Sequence, residues 1–181
     1  MQTEVNKIYQ QVMKELGASN INAAPKLDRV VVNVGVGKQR DNKPFIEEVQ
    51  RDIAIITGQK PHPRMARKAV AGFKVRQGNL VGYRVTLRGK RMNDFVSRLV
   101  HITLPRVRDF RGLSIKSFDG NGNFSIGFKE QLSFPEIHPE QVDAIFGVQV
   151  TIVTTAKTNE EGLVLLKALG FPLVEKEEET D

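Results

Sequence analysis

The sequence predicts an α+β fold. Strand-like and helix-like segments interleave irregularly, and two period-two segments flank a Gly-Asn pair as the arms of a β-hairpin do. The regular βαβ alternation of a doubly wound parallel sheet is missing. At 181 residues the chain is long enough for a real core. A single compact domain over residues 1–174 is expected, followed by an acidic, frayed tail at 175–181.

Val5, Ile8, Tyr9, Val12, Met13 and Leu16 recur at helical spacing and stop at Gly17, predicting an opening amphipathic helix. The linker through Pro25 is polar. Arg29–Gly35 is β-branched and mostly apolar on both faces, the pattern of a covered central strand. After a loop, a helix is predicted to start near Asn42, with Pro44 in its first turn. Glu47 and Glu48 then complement the positive end of its dipole. Phe45, Val49, Ile53 and Ile56 form its apolar face, and Gly58 ends it.

Pro61 and Pro63 confine residues 60–64 to an edge or irregular strand. Ala71–Gln77 and Val81–Arg88 flank Gly78-Asn79 as a hairpin. Period two puts Phe73, Val75, Tyr83, Val85 and Leu87 on one face, and Lys74, Arg76, Arg84, Thr86 and Arg88 on the other. A helix over about 90–104 buries Met92, Phe95, Val96, Leu99 and Ile102 and is closed by Pro105. A basic connector at 106–112, a turn at 119–123 and a strand at 124–128 follow. Pro139–Phe146 is predicted to be a short helix and Gly147–Ala156 a strand. Asn159 is expected to cap a last helix with Leu163, Leu166 and Leu169 inward.

Charge is the strongest functional signal. Residues 53–93 hold ten Lys or Arg and no Asp or Glu. The 52 residues before count eight basic against seven acidic, and the 88 after count nine against fourteen. The net +6 is therefore a local block on a near-neutral body. Such a block is either a solvated face or a surface for a dense anion, of which a polyphosphate backbone is the commonest.

Other classes find little support. There is no cysteine, hence no disulfide, thiolate metal site or cysteine nucleophile. His62, His101 and His138 lack ligand-like spacing, and no metal or cofactor is expected. No apolar run approaches the ~18 residues of a membrane span. The N-terminal segment MQTEVNKIYQQ resembles neither a signal nor a transit peptide, so a cytoplasmic setting is expected.

Val34-Gly-Val-Gly-Lys38 follows a strand, but Arg40 stands where a dinucleotide fingerprint needs glycine. Gln39 stands where a P-loop needs Ser or Thr, so a tight turn explains the glycines better. Asp119, Asn121, Asn123 and Glu130 match positions of a calcium loop, yet Phe124 occupies the position of its obligatory glycine. No catalytic constellation is present, and no enzyme is expected. Ala71–Arg76 only faintly echoes an RNA recognition motif.

Several runs occur in an order that carries a family likeness. They are Val32-Asn-Val-Gly-Val-Gly37, Thr57-Gly-Gln-Lys-Pro61, Ala71-Gly-Phe-Lys-Val-Arg-Gln-Gly78 and Val85-Thr-Leu-Arg-Gly89, then Pro105-Arg-Val-Arg-Asp-Phe-Arg-Gly-Leu113, Phe134-Pro-Glu-Ile137 and Thr154-Thr-Ala-Lys157. Over residues 5–174 the chain closely resembles the bacterial-type large-subunit ribosomal protein five family. The resemblance implies a non-catalytic RNA-binding protein of the large ribosomal subunit that carries 5S rRNA into the central protuberance. It also implies a curved antiparallel sheet with helices packed on one side and a basic β-hairpin on the RNA side.

By the same resemblance, Asn33, Gln59, Phe73 and Thr86 match the family's 5S rRNA contact positions. From the charge of the block around them, Arg64, Lys68, Lys74 and Arg88 are expected to bind rRNA there by holding phosphates. Asn33 is the lone polar residue of its strand, and Thr86 falls on the polar face of the hairpin. Phe73 either stacks on RNA or packs beneath the site; its place on the core face of the ribbon favours packing. The hairpin tip, Arg76, Gln77, Gly78, Asn79 and Leu80, is implied to contact peptidyl-site tRNA. Residues 109–122 and 134–147 are implied to form an intersubunit bridge with small-subunit ribosomal protein thirteen, and 23S rRNA is a further implied partner. A free-standing RNA chaperone or translation regulator is the alternative.

Overall fold

A computed structural model describes residues 2–17, 20, 22–37 and 39–174, so the acidic tail lies outside the described residues. In chain order the main elements are α1 (Gln2–Glu15), β1 (Leu27–Gly35), α2 (Lys43–Thr57), β2 (His62–Met65), β3 (Leu80–Leu87) and α3 (Gly89–Arg98). After these come α4 (Leu104–Arg106), β4 (Leu113–Ser114), β5 (Phe124–Phe128), β6 (Val148–Thr154), α5 (Asn159–Ala168) and β7 (Leu173–Val174). Five strands form an open antiparallel sheet in the order β2-β3-β1-β6-β5, and β4 pairs with β7 in parallel. The class is α+β, as the sequence predicts.

β1 is central, but only one of its faces is covered. Val30, Val32 and Val34 are at most 1% exposed, whereas Val31 and Asn33 are half-buried. The even apolar pattern therefore overstated its burial. β2 is an edge strand, which is where Pro63 belongs, because a missing N–H costs nothing on an unpaired side.

The hairpin differs from expectation. β3 keeps its period-two pattern, with Tyr83, Val85 and Leu87 buried and Arg84 and Thr86 half-open. Its partner, however, is β2: His62 faces Arg84, Pro63 faces Tyr83 and Arg64 faces Gly82. Ala71–Phe73 is a 3-10 turn, and Lys74 behind it is left-handed at φ 51°. A left-handed residue breaks a strand's alternation, so Phe73 is not on a core face.

Among the described residues, those within 2–30, 108–126 and 151–174 form one compact unit, and those within 31–107 and 127–150 another. In the second, α2 starts at Asn42, whose side chain accepts from Phe45 N, and ends at Gly58 in the left-handed region. Glu48 does not serve the helix dipole. It lies beyond the first turn, is buried, and its Oε1 accepts from Asp143 N at 2.8 Å and Ala144 N at 3.4 Å. Gln131, fully buried, donates to Ala144 O and accepts from Phe146 N. These two side chains bind the backbone of 143–146 in a non-helical course, so the helix expected over 139–146 shrinks to a 3-10 turn at Pro139–Gln141.

α3 runs into a π-helical stretch, Leu99–Thr103, before α4. Pro105 thus sits inside the helical run instead of ending it. A proline clashes with the carbonyl four residues back, and the wider π turn relieves that clash. The shift in phase leaves Ile102 43% exposed, contrary to its expected burial.

In the first unit, α1 packs on α5, and Val12, Leu165 and Leu166 are fully buried. The cap of α5 is Thr158, whose hydroxyl accepts from Glu161 N at 3.3 Å. Asn159 instead accepts from Gly120 N and Gly122 N with Oδ1, tying the 119–123 turn to the helix start. Leu165 replaces Leu163 on the buried face.

Candidate nucleic-acid interface

Burial alternates along β1 and β3, so their half-open residues share the face of the sheet opposite the core. That face carries Val31 and Asn33 on β1, and Gly82, Arg84 and Thr86 on β3. The register adds His62 opposite Arg84, and Arg64 opposite Gly82. It is polar and cationic and, on these strands, carries no carboxylate between residues 31 and 35, 62 and 65, or 80 and 87.

Glycine is required at 82: a Cβ there would sit 2.5 Å from Val34 O on the neighbouring strand. Thr86 is held through its backbone, since Gln59 Nε2 donates to Thr86 O at 3.4 Å. Gln59 is itself fixed at the end of α2, where Thr57 Oγ1 lies 2.7 Å from Ile53 O and 3.1 Å from Gln59 O. The structure thus brings Asn33, Gln59, Arg64 and Thr86 onto one unit, with Arg88 following at the start of α3 and exposed.

Arg84 and His62 are additions that sequence reasoning left out of the site. Arg84 Nε is buried without a hydrogen-bond partner, while its residue is half-open on this face. Period two already put Arg84 on the face of Thr86, though not in the site; His62 needed the register.

Lys68, Phe73, Lys74 and Arg76 belong to the excursion 66–79 between β2 and β3. Its base is closed by Ala66 N to Asn79 O at 2.8 Å and Gly78 N to Ala66 O at 2.9 Å. Gly78-Asn79 is therefore at the base, and the turn enclosed by the Val70–Val75 bridge, Ala71–Lys74, forms the tip. Phe73 is 80% exposed, which removes the packing alternative. Arg76, Gln77 and Gly78 are exposed, and Asn79 and Leu80 half-buried.

Among the described residues no group of His, Asp and Glu is arranged to hold a metal ion, and no helix is long and apolar enough to cross a membrane. The Asp119–Asn123 segment is an Asx turn: Asp119 Oδ1 accepts from Asn121 N and Asn123 N. The Asn123 amide on its other oxygen, with those backbone donors, holds its carboxyl below the usual range.

Family profiles match most of the chain: that of ribosomal protein L5 covers residues 20–76, and that of the C-terminus of the same ribosomal family covers 80–173. The chain belongs to the ribosomal protein L5 family. Large ribosomal subunit protein uL5 of Syntrophomonas wolfei is 50% identical over 94% of this chain and 96% of its own length. The uL5 proteins of Geotalea uraniireducens and Prochlorococcus marinus are 49% and 52% identical, covering 93% and 91% of this chain and 97% and 92% of their own lengths. Asn33, Gln59 and Phe73 fall in the first L5 segment and Thr86 in the second, so the open sheet face is built from both.

Proposed function

We propose that this L5-family chain is a non-catalytic constituent of the large ribosomal subunit, bound to the ribosome in the cytoplasm. Its open sheet face binds 5S rRNA and helps attach it to the central protuberance, beside 23S rRNA. The observation that carries this reading is the carboxylate-free face on which Asn33, Arg84 and Thr86 project beside Gln59 and Arg64. Uncharged side chains there suit base edges and 2′-hydroxyls, while Arg64, Lys68, Lys74 and Arg88 suit phosphates. An 80% exposed Phe73 offers a stacking surface. Residues 76–80 contact peptidyl-site tRNA from the base of the excursion, and 109–122 with 134–147 meet small-subunit ribosomal protein thirteen.

The test is binding of purified protein to 5S rRNA across a salt series, with a tRNA competitor. Preference for 5S rRNA that survives moderate salt is expected. Equal binding that collapses with salt would reduce the basic block to an electrostatic patch and favour an RNA chaperone.

A further inference from the structure

Asp119-Gly120 is the single Asp-Gly pair of the sequence and Asn121-Gly122 its single Asn-Gly pair, and both lie in the turn before β5. Such pairs are chemically labile. Glycine has no Cβ to hold its nitrogen away from the preceding side chain, so that nitrogen can attack the side-chain carbonyl carbon. At Asn121 the bond from Gly122 N to Cγ forms and the Cγ–Nδ2 bond breaks. The side-chain nitrogen leaves as ammonia, carrying the proton of Gly122 N. The succinimide ring then takes up one water. Opening at Cγ leaves aspartate, and opening at the backbone carbonyl leaves isoaspartate.

Neither glycine nitrogen is free to attack. Gly120 N donates to Asn159 Oδ1 at 3.0 Å, and Gly122 N donates to the same oxygen at 3.1 Å. The two side chains under attack differ. Asp119 accepts from the Asn123 amide, Asn121 N and Asn123 N, and these donors hold its carboxyl below the usual range. An ionised carboxylate has no good leaving group. Asn121 is exposed and carries one.

Packing fixes the labile glycine in place. Gly122 is buried at φ 74°, and a Cβ on it would sit 2.6 Å from Ala156 Cβ and 2.8 Å from Thr158 O. Its carbonyl accepts from Thr154 Oγ1 at 2.9 Å. The start of α5 comes so close that Gly162 must lack a side chain too, since its Cβ would meet Gly122 O at 2.7 Å.

We infer that Asn159 guards this turn against succinimide closure, with Asn121 as the modification site it protects. Attack requires Gly122 N to leave its acceptor and give up its proton, and the hydrogen bond to Asn159 Oδ1 opposes both. A deamidated Asn121 would put a new negative charge, or an isoaspartate with its longer main chain, into residues 109–122, the segment given above to the small-subunit contact. The protection holds whether or not the chain binds 5S rRNA.

The test incubates the full chain at mildly alkaline pH and follows the peptide holding residues 119–123 by mass spectrometry, which reads the mass gained when the Asn121 amide becomes an acid. Asn159→Ala should speed that gain about 2- to 12-fold, the factor carried by one net hydrogen bond. Asn159→Asp should keep the wild-type rate, because a carboxylate oxygen accepts both N–H groups as the amide oxygen does. Thr158→Ala should keep it as well: that hydroxyl accepts from Glu161 N, while the glycine nitrogens donate to Asn159. Wild type unfolded in urea should react faster than folded wild type.

An unchanged rate in Asn159→Ala would overturn the protection. So would equal acceleration by Thr158→Ala, which would assign the effect to fraying at the start of α5. Should Asn159→Ala fail to fold, the other two comparisons decide. Folded wild type reacting as fast as its unfolded form, or folded Asn159→Asp doing so, would equally sink the role of Asn159.

Discussion

Arg40 Nη2 donates to the carbonyl of Lys74 at 2.7 Å, linking the loop after β1 to the tip of the 66–79 excursion. Lys74 is one of two non-glycine residues with positive φ among those described, and its carbonyl is directed at the guanidinium. Arg40→Ala should free the tip locally without unfolding the unit. The Val70 and Val75 amides, which bond across the tip, should exchange with solvent several-fold faster, reflecting about 1 kcal/mol for a partly exposed bond. Arg40→Lys should restore part of the protection. Unchanged exchange in Arg40→Ala would mean the tip holds itself.

Phosphate and base contacts should separate by salt dependence. Arg64→Ala should weaken 5S rRNA binding and reduce the log–log salt slope by about one unit or less, as should Arg88→Ala. Asn33→Ala should instead leave the slope alone and lower discrimination between 5S and unrelated RNA by roughly 1–3 kcal/mol, by analogy with base-edge contacts in DNA. Equal losses on all RNAs for Asn33→Ala would remove it as a reader of sequence or sugar.

Much of this sheet face was legible because polar residues in a half-buried strand break an apolar rhythm. Asn33 and Thr86 both do so, and β3 kept its predicted alternation. Its partner was misassigned because Phe73 and Val75 continue that rhythm by coincidence. Pairing is set by tertiary register, and local sequence carries no mark of it. The same limit hid His62 opposite Arg84 and Arg40 beside Lys74. At α5 two adjacent residues, Thr158 and Asn159, both suit an N-cap. The choice was made by Gly120 and Gly122, whose N–H groups occupy Asn159. Glu48 resembled a dipole residue until its carboxylate was found on the backbone of 143–144.

Glycine positions in the sheet differ in what they tolerate. Gly82→Ala should destabilise by about 1–3 kcal/mol, because its Cβ would meet Val34 O at 2.5 Å and backbone cannot swing aside as a side chain does. Gly127→Ala on β5 is the control: its Cβ meets nothing within 4 Å, so it should be neutral or slightly stabilising. Urea midpoints at constant m-value measure both. Equal effects would mean that β3 and β1 have slack between them.

Asp52 gives a pH signature with a definite sign. Its side chain is 3% exposed; Oδ1 accepts from Arg51 Nε at 3.2 Å, and Oδ2 is buried without a partner. Burial raises its carboxyl above the ordinary value, Glu48 one turn earlier adds to the rise, and Arg51 opposes it. A carboxyl raised in the folded state binds its proton more tightly there than in the unfolded chain. Stability therefore falls as pH climbs from the unfolded value of about 4 through the raised native one, and the penalty persists above that window. Asp52→Asn removes the titration. Arg51 is half-exposed, so its lost ion pair counts for little. The variant should match the wild type at the acid end of the window and exceed it at neutral pH in urea unfolding. A gap between the two that stays constant from about pH 4 to 7.5 would show that Asp52 binds its proton equally in the folded and unfolded chains, and that burial does not shift it.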